Sequence, residues 1–163
     1  LAWLEGRRSP WFLWVHFFDP HAPYDPPEPF RSEFKDDPYD GEVACADRAL
    51  GTLLAALERS GQAGRTLVVL TADHGESLGE HGEETHGFLA YNGTLRVPLI
   101  VFVPGGGGGG RRAGVVSHID IFPTVCDLLA VEKPSFLQGA SLVPLMEGKD
   151  APPRTLYCES LYP

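Results

Sequence analysis

A short apolar run that ends abruptly in acids, histidines and glycines constrains this chain more than any other feature. Residues 66–70 read Thr-Leu-Val-Val-Leu, and this apolar, β-branched run predicts a buried strand. The polar stretch 71–82 follows at once and contains Asp73 and His74. Open α/β sheets build their sites just beyond the carboxyl ends of their strands. We therefore expect both side chains to lie at such a site.

The residue types of this pair suit a divalent cation, because a carboxylate supplies charge and an imidazole supplies directional ligation. The alternative is that Asp73 caps a helix and His74 is an ordinary loop histidine. Two nearby glycines, Gly75 and Gly79, permit unusual backbone geometry, and a third histidine follows at position 86. These features favour the metal site.

Two common metal motifs are excluded by spacing. His81 and His86 are five residues apart, and Gly82 stands where a His-Glu-x-x-His metalloprotease has its glutamate. The alternating acids of an EF-hand are absent as well. Any metal must therefore be bound by ligands gathered from several strand ends.

An aromatic and apolar segment, residues 11–18, predicts a first strand buried on both faces, with His16 as a hydrogen-bonded core histidine. It leads into a loop with five prolines between positions 20 and 29, which stiffen the backbone. Such a loop can hold His21 towards a site. A plain surface position for His21 remains equally open.

A helix is predicted over residues 40–60, with Asp40 as its N-cap and Gly61 just beyond its end. It joins the first two predicted strands, and this order is typical of the βαβ unit of a parallel sheet. Residues 97–103 predict a third strand.

The glycine run 105–110 follows the third strand and predicts a flexible connector without chemistry of its own. A further helix is predicted over residues 123–130, with Pro123 suited to its first turn. His118 and Asp120 resemble a metal pair, but a structural role at the start of this helix is the better interpretation.

Charge and composition limit the partners. The net charge is −9 and would still be −3 with all six histidines protonated, which argues against nucleic acid and against acidic membrane surfaces. No stretch reaches the roughly 18 apolar residues of a membrane span. The three cysteines, Cys45, Cys126 and Cys158, are widely spaced and odd in number, so we expect free thiols. The chain has no initiating methionine, and we expect a piece of a longer protein.

Five stretches, in this order, resemble the later part of the sulfatase catalytic domain within the alkaline-phosphatase-like superfamily. They are residues 16–24, 73–82, 85–87, 95–101 and 117–124, and the resemblance covers most of residues 11–145. The most specific is Asp-His-Gly-Glu-Ser-Leu-Gly-Glu-His-Gly at 73–82. The resemblance implies an α/β fold, a sandwich with a mostly parallel central sheet flanked by helices, present here as a fragment.

The resemblance also implies roles for single residues. Asp73 and His74 correspond to the family's ligands of the active-site divalent cation, which is usually Ca²⁺, or Mn²⁺ or Zn²⁺ in relatives that act on phosphoryl groups. His21 and His86 correspond to residues that contact the sulfate ester, so both are candidate catalytic residues. The implied partner is a small-molecule or glycan sulfate ester.

One departure from the family pattern is large. Sulfatases carry a Cys-x-Pro-Ser-Arg or Ser-x-Pro-Ser-Arg motif, whose first residue becomes the formylglycine nucleophile, and this sequence has neither. An earlier aspartate pair that completes the metal site is also missing. Three interpretations remain open: part of a sulfatase, part of a phosphodiesterase or phosphoethanolamine transferase of the same superfamily, or a non-catalytic relative.

Overall fold

The computed structural model describes residues 2–7, 10–106, 109–151 and 153–161. The chain divides into two compact units, Leu1–Leu67 and Val68–Pro163. Two residues of the predicted glycine connector, Gly107 and Gly108, lie outside the described residues. Within the described ranges, no helix is both long enough and apolar enough to cross a bilayer.

The first unit is built on one long helix. Two short helices, α1 (Ala2–Glu5) and α2 (Phe30–Glu33), precede the 22-residue α3 (Pro38–Arg59), and a 3₁₀ turn at Ala63–Arg65 follows it. The helix begins two residues before the predicted start, because Pro38 suits a first turn, where its missing N–H costs no hydrogen bond. Asp37, not Asp40, is therefore the N-cap residue.

The predicted end of this helix is confirmed. Ser60 is the C-cap, and Gly61 follows with a φ of 70°, the left-handed conformation that glycine adopts without strain. The core of the unit is small and consists of Leu4, Phe30, Ala56 and Leu57.

The prediction of a buried strand over residues 11–18 is wrong. The segment has no strand structure, and Phe12 and Trp14 are 81% and 80% exposed. His16, predicted to lie in the core, is exposed as well. A strand forms only where other strands exchange ladder hydrogen bonds with it, and no described residue pairs with this segment. The predicted βαβ unit is consequently absent from the described residues.

The second unit contains a two-stranded sheet. Strands β1 (Val68–Thr71) and β2 (Leu99–Phe102) pair antiparallel, with Val68 opposite Phe102 and Thr71 opposite Leu99. Both strands were predicted, and both are shorter than the apolar runs that indicated them. A 3₁₀ turn at Glu80–Gly82 and the short helix α4 (Asn92–Leu95) lie between them in sequence.

The remaining elements are organised by Asp120. A 3₁₀ turn, His118–Asp120, leads directly into α5 (Ile121–Leu128), and the short α6 (Val143–Met146) comes later in the chain. Asp120 is fully buried and accepts hydrogen bonds from the N–H groups of Ser117 (2.8 Å) and Ala140 (2.9 Å) and from Arg154 (2.7 Å). The structural role predicted for Asp120 at the start of this helix is confirmed. The three cysteines are free thiols, as predicted.

Replacing Asp120 by asparagine is expected to destabilise the protein by about 3 kcal/mol, because Arg154 then loses its charged partner. Burial alone would raise the pKa of Asp120, but the Ala140 N–H, the Arg154 guanidinium and the Ser117 N–H together hold that pKa below its usual value. The stabilisation is therefore complete above about pH 4 and is lost as the pH falls through the lowered pKa.

Urea unfolding at pH 7 and at decreasing pH measures this effect. Asp127→Asn is the matched control, since Asp127 also pairs with a cation, Lys133 (2.7 Å), but at the surface. An Asp120→Asn variant as stable as the wild type at pH 7 would contradict the prediction.

Candidate functional site

The site begins where β1 ends. Thr71, the last residue of the strand, donates a hydrogen bond from Oγ1 to the carbonyl of Pro98 (2.9 Å), and the same oxygen lies 3.4 Å from Nε2 of His118. The first contact holds the strand end against Pro98, the residue before β2, and the second places it beside the turn that leads into α5. The position at which the polar stretch 71–82 begins is therefore fixed by these contacts.

Asp73 and His74 lie together two and three residues beyond the strand, as predicted. The Oδ1 atom of Asp73 accepts a hydrogen bond from the backbone N–H of His74 (3.0 Å), and Oδ2 lies 3.8 Å from Nε2 of the same residue. Both side chains are exposed. Their functional atoms therefore meet on one side of the loop and are accessible.

The ring of His74 is oriented for ligation. Its Nδ1 lies 2.8 Å from the carbonyl oxygen of Gly75, which can only accept, so Nδ1 carries the proton and a neutral ring has its lone pair on Nε2. Nε2 lies 3.8 Å from the Asp73 carboxylate, so a nitrogen donor and an oxygen donor of the types that would hold a divalent cation lie side by side. The pair fits a divalent cation that takes its other ligands elsewhere.

His86 joins this pair from a later loop. Its ring lies 4.0 Å from the ring of His74 between centroids, and its Nδ1 lies 2.9 Å from Oε1 of Glu76. The Glu76 side chain is only 5% exposed. The structure thus assembles a cluster of four side chains, Asp73, His74, Glu76 and His86, which we call the acid–histidine cluster.

Backbone hydrogen bonds bring the two loops of the cluster together. The N–H of Ser77 donates to the carbonyl of Thr85 (2.8 Å), and the N–H of Gly75 donates to the carbonyl of Thr94 (2.7 Å). A side chain at Gly75 would collide with the carbonyl oxygen of Gly93, so this approach requires glycine. The loop positions of the cluster are therefore set by main-chain contacts.

Two acids of the site were missed by sequence reasoning. Glu76 orients His86, and the only signal for it was its place in the same polar stretch. Glu83 is buried and accepts hydrogen bonds from the N–H groups of Phe88 (2.8 Å) and Leu89 (3.2 Å), which holds the loop that follows His86. The sequence around Glu83 contains no signal for burial, because a glutamate in a polar loop is usually exposed.

Two other histidines were singled out in the sequence. His81 does not join the cluster but stacks on Tyr91, with ring centroids 3.8 Å apart. His21 belongs to the first unit, where its ring stacks on Phe18 (4.4 Å) and its Nδ1 lies 2.7 Å from the carbonyl oxygen of Ala22. The convergence of His21 with His86 on one substrate stays a prediction.

The donor set among the described residues is too small to complete a metal site by itself. No group of three or more histidine, cysteine, aspartate or glutamate side chains in this part of the chain has an arrangement that could hold a metal ion. As potential donors, Asp73 offers carboxylate oxygens and His74 offers one imidazole nitrogen. Calcium prefers six to eight oxygens, whereas imidazole suits zinc and other transition metals, so these two donors alone do not select one ion.

A sulfatase family model matches residues 1–131. The chain is 37% identical over 108 residues to arylsulfatase K of Xenopus laevis, covering 66% of this chain and 20% of that protein. It is 38% identical over 116 residues to N-acetylglucosamine-6-O-sulfatase of Bacteroides thetaiotaomicron, covering 71% and 21% respectively.

The similarity extends to solved structures. Phosphonate monoester hydrolase of Agrobacterium radiobacter superposes with a TM-score of 0.81 at 28% identity, over 92% of this chain and 41% of that one. This confirms the predicted α/β, alkaline-phosphatase-like fold, present here in part, although the described strand pair is antiparallel. The chain spans between about a fifth and two fifths of the length of these three relatives.

Proposed function

Because this chain belongs to the sulfatase family, we propose that it supplies part of the active site of a hydrolase that cleaves sulfate esters of small molecules or glycans. The observation that carries the proposal is the acid–histidine cluster at the end of β1, within the residues that match the family model. The nucleophile of this hydrolase is a formylglycine outside the 163 residues, since no residue of this sequence stands in the family's nucleophile motif.

Asp73 and His74 would hold a divalent cation, which is Ca²⁺ in the sulfatase interpretation. When bound, such a cation polarises the ester and stabilises the negative charge of the transition state. The chain's own contribution is to present a carboxylate oxygen and an imidazole nitrogen 3.8 Å apart on one exposed loop. The hydrogen bond from His74 Nδ1 to Gly75 keeps the nitrogen ready for ligation.

His86 is proposed as a catalytic residue that contacts the leaving oxygen. Glu76 holds Nδ1 of His86, so the Nε2 atom on the opposite edge of the ring is the one presented to the ester. A proton delivered from Nε2 would neutralise the charge that develops on the leaving oxygen. His21 is proposed as a second ester contact, and its Nδ1 is likewise held by a carbonyl, that of Ala22.

A second candidate function is hydrolysis of phosphonate or phosphate esters, with Mn²⁺ or Zn²⁺ in place of Ca²⁺. Two observations favour it: the similarity to a phosphonate monoester hydrolase, and the nitrogen donor of His74, which suits a transition metal better than calcium. Both candidates use the same cluster and differ in the nucleophile, the metal and the ester.

The test is an assay of the complete enzyme with 4-nitrophenyl sulfate and with a 4-nitrophenyl phosphonate monoester, together with elemental analysis of the bound metal. A higher kcat/KM for the sulfate, with stoichiometric calcium, would support the sulfatase proposal. Preference for the phosphonate with manganese or zinc would favour the second candidate. No turnover of either ester by the metal-loaded protein would support a non-catalytic relative.

The 163-residue chain alone is expected to hydrolyse neither ester. Covalent catalysis needs an activated nucleophile, and a cation held by Asp73 and His74 alone lacks most of the ligands that calcium requires. The same two assays with the purified chain, at saturating calcium or manganese, measure this. Metal-dependent turnover that disappears in His86→Ala would contradict the expectation.

A further inference from the structure

A buried carboxylate of the first unit holds the loop that carries His21. Glu42 lies in α3 and is only 4% exposed. Its Oε2 accepts a hydrogen bond from the backbone N–H of His21 (3.0 Å), and its Oε1 accepts one from the backbone N–H of Asp25 (2.7 Å). Burying a carboxylate without such partners costs free energy. The buried position of Glu42 and the positions of the two loop N–H groups therefore stabilise one another.

The loop has few main-chain hydrogen-bond donors of its own. Within residues 20–27, the four prolines Pro20, Pro23, Pro26 and Pro27 have no backbone N–H to donate. Glu42 therefore uses two of the few main-chain donors in this segment, one at each end of residues 21–25.

The loop also packs directly on the helix beside Glu42. A Cβ atom added at Gly41 would lie 2.8 Å from Cγ of Pro26, so the proline ring packs against the helix where any larger residue would clash with it. The helix thus presents Gly41 for contact and Glu42 for hydrogen bonding at consecutive positions.

We propose that Glu42 is a positioning residue that sets the place of the His21 imidazole for ester hydrolysis. The Glu42 carboxylate fixes the main chain of His21, the carbonyl of Ala22 fixes Nδ1, and Phe18 stacks on the ring. With these three contacts the backbone, the tautomer and the ring plane are all determined. The inference rests on the catalytic role proposed for His21.

The test is a double-mutant cycle in the complete enzyme with Glu42→Gln and His21→Ala. Glutamine keeps the size of the side chain but replaces one acceptor oxygen with an NH₂ group. This group cannot accept the hydrogen bond from the backbone N–H that faces it. We expect kcat to fall about 10- to 100-fold in Glu42→Gln, since small misplacements of catalytic groups have effects of this size. Metal content should be unchanged. The double variant should be no slower than His21→Ala alone, because without the imidazole there is nothing left to position.

Glu58→Gln is the matched control, because Glu58 is an exposed glutamate on the same helix, and its kcat should equal that of the wild type. If Glu42→Gln does not fold, as judged by circular dichroism, Glu42→Asp replaces it in the cycle, since aspartate keeps the charge but is one methylene too short for both bonds.

Three outcomes would overturn the inference. They also distinguish a failure of the positioning role of Glu42 from a failure of the catalytic role proposed for His21. Full activity of the Glu42 variant, or losses that multiply in the double variant, would overturn the positioning role alone. Full activity of His21→Ala would overturn the catalytic role proposed for His21 and this inference with it.

Discussion

Asp73→Ala is expected to lower kcat/KM of the complete enzyme by about a thousandfold and to lower its metal content at the same time. A bound cation contributes several kcal/mol of transition-state stabilisation, and each 1.4 kcal/mol corresponds to a factor of ten. The Oδ2 atom of Asp73 lies 3.8 Å from Nε2 of His74. Without the carboxylate, His74 would be the one remaining proposed ligand among the described residues. Elemental analysis and the sulfate assay measure the two effects in one preparation.

The control for this experiment is Asp127→Ala, which removes a surface carboxylate of the same unit that pairs with Lys133. It should leave both the metal content and the rate unchanged. Normal metal occupancy in Asp73→Ala would show that Asp73 is not a ligand. Partial rescue of the rate by raising the metal concentration would support the ligand role, because weakened binding is then overcome by mass action.

His86→Ala is the second substitution with a large expected effect: kcat should fall about 10²- to 10⁴-fold, the range of general acid catalysis. The metal content should remain close to that of the wild type, since Nδ1 of His86 is held by Glu76 and its Nε2 is the atom proposed to face the ester. The loss should also depend on the leaving group. An ester with a poor leaving group needs the proton more than 4-nitrophenyl sulfate does, so its hydrolysis should slow more.

This dependence separates a catalytic role from a structural one. Glu84→Ala is the local control, because Glu84 is exposed two residues before His86 and its removal alters the same loop. An equal loss for good and poor leaving groups would argue against proton transfer by His86. A parallel loss of metal would instead assign His86 to the metal site.

Several local elements of this protein could be predicted from its sequence alone. The apolar, β-branched run at 66–70 and the apolar spacing over 40–60 correctly predicted β1 and α3, because strand and helix preferences act over a few neighbouring residues. The switch from apolar to polar residues at position 71 correctly placed Asp73 and His74 just beyond a strand end.

The surroundings of the site were decided by the tertiary structure. Glu76 and His86 are ten residues apart, and Glu42 and His21 are twenty-one apart, yet each pair is joined by a hydrogen bond. No periodicity encodes such contacts, because they depend on how loops fold back on one another. The exposed segment 11–18 is a case in which the sequence pattern predicted an element that the structure lacks. Its apolar pattern indicates a buried strand, but a strand also needs hydrogen-bonding partners, and a pattern within one segment contains no information about whether they are present.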